Sequence, residues 1–374
     1  MRSAYTSIAR NMLVDLLRAY SPTGREERAV EVLENYAKTL DYDEVVVDRA
    51  GNLLASYGSG ENVFAVVGHV DTVAGEIPVR VNEDVIHGRG AVDAKGPLVA
   101  AFIGVSLAKR HLDLSKWKVY VVAAVGEESD SRGVKELVNR GFSARGVVVA
   151  EPSNNSLVVI GYRGGVKILV ECVAEAGHTS SPSQQLSACE KLLYLWDVIK
   201  HKFSDFKANG NSAALVGLTC GNNCRELCYQ SVYPREGAMI IDVRVSINER
   251  VSGALSTLSE LVDRVEGCSL RVLDYAEPVR VSPNAPVVRA VVRSILQQGT
   301  KPRLVYKLGT SDMNLLYGVA RGNIVAYGPG KSELSHSDHE AISLSELSYG
   351  IDVYRNTLLN YVKLVEKNEN KPSA

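Results

Sequence analysis

Several stretches of this chain end in side chains able to hold a cation. Gly68-His69-Val70-Asp71-Thr72 follows the apolar, β-branched run Val63-Phe64-Ala65-Val66-Val67, which reads as a buried strand. A neutral imidazole is a good zinc ligand, and an Asp two residues on can face the same side and hold its other ring nitrogen. Gly88-Arg89-Gly90-Ala91-Val92-Asp93-Ala94-Lys95-Gly96-Pro97 is a tight loop ahead of a helix, and Asp93 there can bridge two cations. The apolar run 117–125 ends in Gly126-Glu127-Glu128-Ser129-Asp130. Adjacent carboxylates at a strand end repel and are costly to desolvate unless a cation or a shared proton compensates. One of them can bind metal while its neighbour acts as general base. The run 146–150 delivers Glu151-Pro152-Ser153, and the run 323–327 is followed by Gly328-Pro329-Gly330 and a loop carrying His336 and His339. In an open α/β sheet, ligands bind outside the carboxyl ends of the strands. Histidines and carboxylates converging there fit a pair of zinc-like ions.

The elements that must position these residues alternate between strand and helix. Residues 5–20 and 25–40 read as amphipathic helices separated by Ser21-Pro22-Thr23-Gly24, with Ser21 or Thr23 as N-cap of the second. Residues 44–48 and 52–56 suggest a hairpin, and 77–81 and 84–87 short surface strands. Pro97 suits the first turn of a helix through residue 107. Further helices are expected at 286–297 and from 345 to about 365. Between about 162 and 275 the order becomes β-α-β-β-α-β, the ferredoxin-like plan. The expected division is a catalytic domain in two parts, 1–162 and 276–374, interrupted by a second domain at 163–275.

At 374 residues and 40.5 kDa the chain can bury a substantial core in two domains. A net charge of −1 and a pI near 6.7 leave no field favouring nucleic acid or an anionic membrane. Arg2, Arg10, Asp15 and Arg18 interrupt the first helix, so no signal peptide is read, nor any apolar run of membrane-spanning length. The expected location is the cytoplasm. All six cysteines fall between Cys172 and Cys268, and Cys220, Cys224 and Cys228 lack the paired spacing of a structural zinc site. They read as buried free thiols, with disulfides as the alternative for a hyperthermophile.

With these residues in view, the chain resembles the zinc-dependent amidohydrolases that include acetylornithine deacetylase, succinyl-diaminopimelate desuccinylase and glutamate carboxypeptidases. The resemblance spans nearly the whole chain and keeps motif order: Gly-His-Val-Asp-Thr, Gly-Arg-Gly-x-x-Asp-x-Lys-Gly, Glu-Glu, Glu-Pro-Ser, then a C-terminal His. It implies an α/β fold with a mixed central sheet flanked by helices, plus an inserted ferredoxin-like lid and dimerisation domain. It implies two divalent ions, zinc first and cobalt as the alternative. His69, Asp93 and Glu151 would hold one ion; Asp93, Glu128 and His336 the other. His336 is preferred to His339 because Glu340 follows it by four residues, the family spacing. Asp71 would orient His69, and Glu127 would be the base that deprotonates the bridging water. His178, in Gly177-His178-Thr179-Ser180, looks like the lid histidine that reaches the partner subunit of a homodimer. Arg244 resembles the arginine that holds a substrate carboxylate, and Gly309, Thr310 and Ser311 match the substrate loop.

Gly75-Glu76-Ile77-Pro78-Val79, closely followed by the Gly-Arg-Gly stretch, looks most like one branch of that family, with Ala74 where a Pro is common. That branch releases lysine or ornithine from an amino-group carrier protein in lysine and arginine biosynthesis. The alternatives are a deacetylase, desuccinylase or dipeptidase acting on a small substrate. A fold kept only for binding would lack Glu127 or its ligands, and all are present.

Overall fold

The computed structural model describes residues 2–175, 177–180, 186–221 and 231–369. The chain forms two units. The first runs to Gly161 and resumes with Val281–Val305 and again from Ser311; the second takes Tyr162–Arg280 and Tyr306–Thr310.

The first unit is built on a mixed sheet in the order Glu44–Val47, Leu53–Tyr57, Trp117–Ala124, Asn62–His69, Gly146–Val149, Ile324–Ala326, Leu157–Tyr162. Trp117–Ala124, Asn62–His69, Gly146–Val149 and Ile324–Ala326 are mutually parallel, so their carboxyl ends lie along one edge. Their Val- and Ala-rich sequences are buried almost throughout, as parallel strands covered on both faces require. Lys95–Ala108 is buried nearly all round and serves as a core helix. It packs on Leu344–Glu369, which in turn packs on Pro286–Gln297. A three-stranded sheet joins Arg80–Asn82, Val85–His87 and Ala341–Ser343.

The expected N-cap role of Ser21 or Thr23 is not what these residues do. The helix Glu27–Thr39 begins after Glu26 with no side-chain cap. Ser21 donates instead to the Val70 carbonyl at 2.7 Å, and Thr23 to the Asp71 carboxylate at 2.7 Å. Both hydroxyls brace the strand end that carries His69.

The second unit has a four-stranded antiparallel sheet ordered Ser212–Cys220, Glu236–Val245, Gly164–Val173, Cys268–Ala276. Helices Ala188–Lys202 and Val251–Asp263 complete the ferredoxin-like plan. Alternate residues of the central strands, among them Val166, Ile168, Val170, Met239, Ile241 and Val243, meet Leu192, Leu195, Leu258 and Val262 in its core. Ser187 and Glu190 form a capping box at the first helix.

The expectation of free thiols is also overturned. Cys172 and Cys268 are register partners on adjacent strands and form a disulfide, as do Cys189 and Cys220. Spacing along the chain could not show this, because the first pair is 96 residues apart. Cys224 and Cys228 lie outside the described residues. Among the described residues, no helix is long and apolar enough to cross a membrane.

Candidate metal centre

The edge formed by the carboxyl ends of the parallel strands brings together His69, Asp71, Asp93, Glu127, Glu128, Glu151 and His336. His69 is the last residue of its strand and 1% exposed. Its Nδ1 lies 2.9 Å from the Asp71 carbonyl oxygen and 3.6 Å from the Asp71 carboxylate. The main chain of Asp71 therefore accepts the Nδ1 proton and leaves Nε2 as the lone-pair donor. Nε2 points to Asp93 at 3.1 Å, with Glu151 at 3.9 Å. The Asp71 carboxylate itself accepts the main-chain N–H groups of Glu127 and Glu128, both at 3.1 Å. Gly126, at φ 77°, makes the turn that presents those amides.

His336 Nε2 stands 2.9 Å from Glu128 and 3.4 Å from the second Asp93 oxygen. Each Asp93 oxygen thus faces a different imidazole. Donor atoms of His69, Asp93 and Glu151 lie within 4.8 Å of one another, as do those of Asp93, Glu128 and His336. A third such group joins His69, Glu127 and Glu128.

The charge balance favours a cation. Burial and the nearby charges of Glu151, Asp312 and Glu128 push the Glu127 carboxyl well above its ordinary range, against the pull of His69. Burial, with Glu151 and Asp71 nearby, pushes Asp312 up to about 8. Burial opposes ionisation of Asp93, but His336 and His69 overcome it and hold that carboxyl low. Imidazole and carboxylate donors in two sets that share one carboxylate suit a pair of zinc-type ions.

The same geometry predicts a pH dependence. Hydrogen bonding of His336 to the Asp93 and Glu128 carboxylates raises its pKa from 6.5 to about 10. In the metal-free protein the stability this ion pair contributes is fully present below about 6.5 and is lost as pH rises through about 10. A divalent ion at Asp93, Glu128 and His336 must displace that proton. Its affinity is expected to rise by up to roughly tenfold per pH unit in this window, with about one proton released. Calorimetry in buffers of differing ionisation enthalpy measures both, and affinity flat with pH would count against His336 as a ligand.

The remaining expected residues lie elsewhere. His178 is exposed in the second unit, where its Nδ1 accepts the Ser180 main-chain N–H at 3.1 Å. Arg244, also there, donates to Thr310 Oγ1 at 2.9 Å and to Asp242 at 3.0 Å. Gly309 belongs to the second unit and Ser311 to the first. The Ser311 hydroxyl caps the helix Asp312–Leu316. Sequence reasoning passed over Lys95, whose buried ammonium donates to the carbonyls of Leu16 and Ala19 at the end of the first helix. It also passed over Arg89 and used Glu340 only as a spacing marker. The Gly-Arg-Gly-x-x-Asp-x-Lys-Gly stretch held two of these signals.

Comparison with known proteins places the chain in a family. Residues 65–360 match the model of peptidase family M20/M25/M40. The chain belongs to that family. A relative from Aeropyrum pernix is 36% identical to this M20-family chain over 355 residues, 94% of this chain and 95% of its own. A LysW-lysine/LysW-ornithine hydrolase from Saccharolobus solfataricus is 34% identical over 351 residues, 92% of this chain and 94% of its own. Among solved structures, the Bacillus subtilis YXEP protein, described as a dinuclear metal-binding peptidase of family M20, superposes with a TM-score of 0.72. It is 11% identical and covers 97% of this chain and 99% of its own. The likeness shows the shared fold.

Proposed function

We propose that this M20-family chain is a metal-dependent hydrolase acting on an amino-group carrier protein. It cleaves the amide between the carrier's terminal glutamate and lysine or ornithine, releasing the free amino acid in lysine and arginine biosynthesis. The near-full-length similarity to the Saccharolobus solfataricus LysW-lysine/LysW-ornithine hydrolase carries this reading. The two donor groups that share Asp93 supply its chemistry.

His69, Asp93 and Glu151 would hold one divalent ion, and Asp93, Glu128 and His336 the other, with zinc the first choice and cobalt the second. When bound, such ions polarise the scissile carbonyl and lower the pKa of the attacking water. Glu127 is the general base. Its raised affinity for a proton suits it to take one from that water and return it to the leaving amine. Asp71 holds the main chain of Glu127 and Glu128 in register with His69. Arg244, with Thr310 beside it, offers the guanidinium for the released amino acid's α-carboxylate. The working form is a cytoplasmic homodimer in which His178 serves the partner's site.

The deciding experiment compares amino-acid release by the zinc- or cobalt-loaded enzyme from carrier-linked lysine, carrier-linked ornithine, N-acetylornithine and N-succinyl-diaminopimelate. Release from the carrier at a kcat/KM at least about 10²-fold above either small amide is expected, since binding energy from the carrier adds to transition-state stabilisation. Turnover of the small amides alone would leave the metal chemistry standing and overturn the carrier reading.

A further inference from the structure

The loops that carry Asp93 and His336 are distant in sequence and meet at one buried ion pair. Arg89 is 5% exposed and Glu340 1%. Arg89 Nη1 lies 3.2 Å from Glu340 Oε2. The other Glu340 oxygen accepts the main-chain N–H groups of Val92 and Asp93, both at 2.9 Å. The Glu340 carbonyl accepts the N–H of Gly88 at 3.2 Å. Arg89 in turn donates from Nε to the Gly75 carbonyl at 2.9 Å and from Nη1 to the Ser337 carbonyl at 2.9 Å. Ser337 follows His336, whose φ of 62° lies in the left-handed region. L-residues with a Cβ rarely adopt that conformation, so its surroundings must enforce it.

We propose that the Arg89–Glu340 pair is the positioning device of the candidate Asp93–Glu128–His336 centre. Glu340 sets the main chain at Asp93, and Arg89 sets the main chain next to His336. Together they bring two ligands on separate loops to one ion. Neither side chain belongs to a donor group, so both act through the residues they hold. The inference rests on the two-ion reading of the site. It adds a selectivity which that reading does not contain. His69 is aligned by the Asp71 carbonyl, independently of this pair. Asp93 is shared by both groups, so the selectivity comes from His336: loosening the hold of Arg89 on the main chain beside it should weaken the Asp93–Glu128–His336 centre more than the other.

Arg89→Lys keeps the charge, but a single ammonium cannot serve the acceptors of the guanidinium fork. Cobalt titration of the full-length chain, followed by visible absorption and calorimetry, should show two binding steps in the parent protein. In Arg89→Lys the step that His336→Ala also weakens is expected to lose about 10- to 100-fold in affinity. The other step should stay within about threefold, and excess cobalt should restore the absorption spectrum of the weakened centre. If Arg89→Lys does not fold, Glu340→Gln decides the matter in the same titration. It keeps the volume and one acceptor oxygen but loses the charge facing Arg89. Unchanged steps in a folded variant would overturn the proposal. So would equal weakening of both steps together with a lowered Tm, which would mark a general structural role. A parent protein with no two-step titration would instead defeat the two-ion reading itself.

Discussion

Glu127→Gln should lower kcat by about 10²- to 10⁴-fold, which is roughly 3–5 kcal/mol of barrier, while metal content stays at the parent level. Glutamine keeps the shape of the side chain but cannot accept a proton. The main chain at Glu127 remains held by Asp71 at 3.1 Å, so its neighbour Glu128, the proposed ligand, should not move. Metal analysis beside steady-state kinetics separates the possible outcomes. A kcat within tenfold of the parent at full metal loading sinks the base assignment. Loss of metal together with activity would make Glu127 a ligand, in the third donor group with His69 and Glu128. The same variant carries a stability signature. Glu127 has a folded-state pKa well above 4.5, so its ionised form is less favourable in the folded than in the unfolded chain. The metal-free parent therefore loses stability as pH rises from about 4.5 through that raised value, and Glu127→Gln does not. The Tm advantage of the variant should grow with pH in metal-free protein.

His178→Ala is expected to lower kcat by about 10²- to 10³-fold, the usual loss for one hydrogen-bond donor to a developing oxyanion. Ser180 donates its main-chain N–H to His178 Nδ1, so in the neutral ring the proton sits on Nε2. That leaves an exposed N–H donor able to polarise a substrate carbonyl. If it serves the partner's site, chains carrying His178→Ala and chains carrying Glu127→Gln should complement one another. Random pairing at equal amounts makes half the dimers hybrid, each with one intact site, so roughly a quarter of parental activity should return. Mixing the two inactive proteins and assaying after exchange checks this. Activity that stays at the level of the separate variants would refute a role across the dimer.

Strand periodicity and residue type were enough to mark where His69, Glu127, Glu128 and Glu151 stand. A buried parallel strand is a local pattern, and its end is visible as the residue where the apolar run stops. The ferredoxin-like unit was legible for the same reason, from the order of its strands and helices. The partners of the polar groups were not. Ser21 and Thr23 stand where helix N-caps are expected, yet they brace Val70 and Asp71, 49 and 48 residues away. The Asp71 carboxylate spans 56 residues to reach Glu127, and Arg89 spans 251 to reach Glu340. Cys172 finds Cys268 only because their strands pair.

The sequence by itself determined that side chains of metal-ligating type would stand at or just after strand ends, since residue type and strand period are short-range. Only the tertiary structure decided which main-chain and side-chain groups hold those side chains still. Each buried donor or acceptor takes whichever partner the folded loops bring within reach, and chain separation carries no record of that choice.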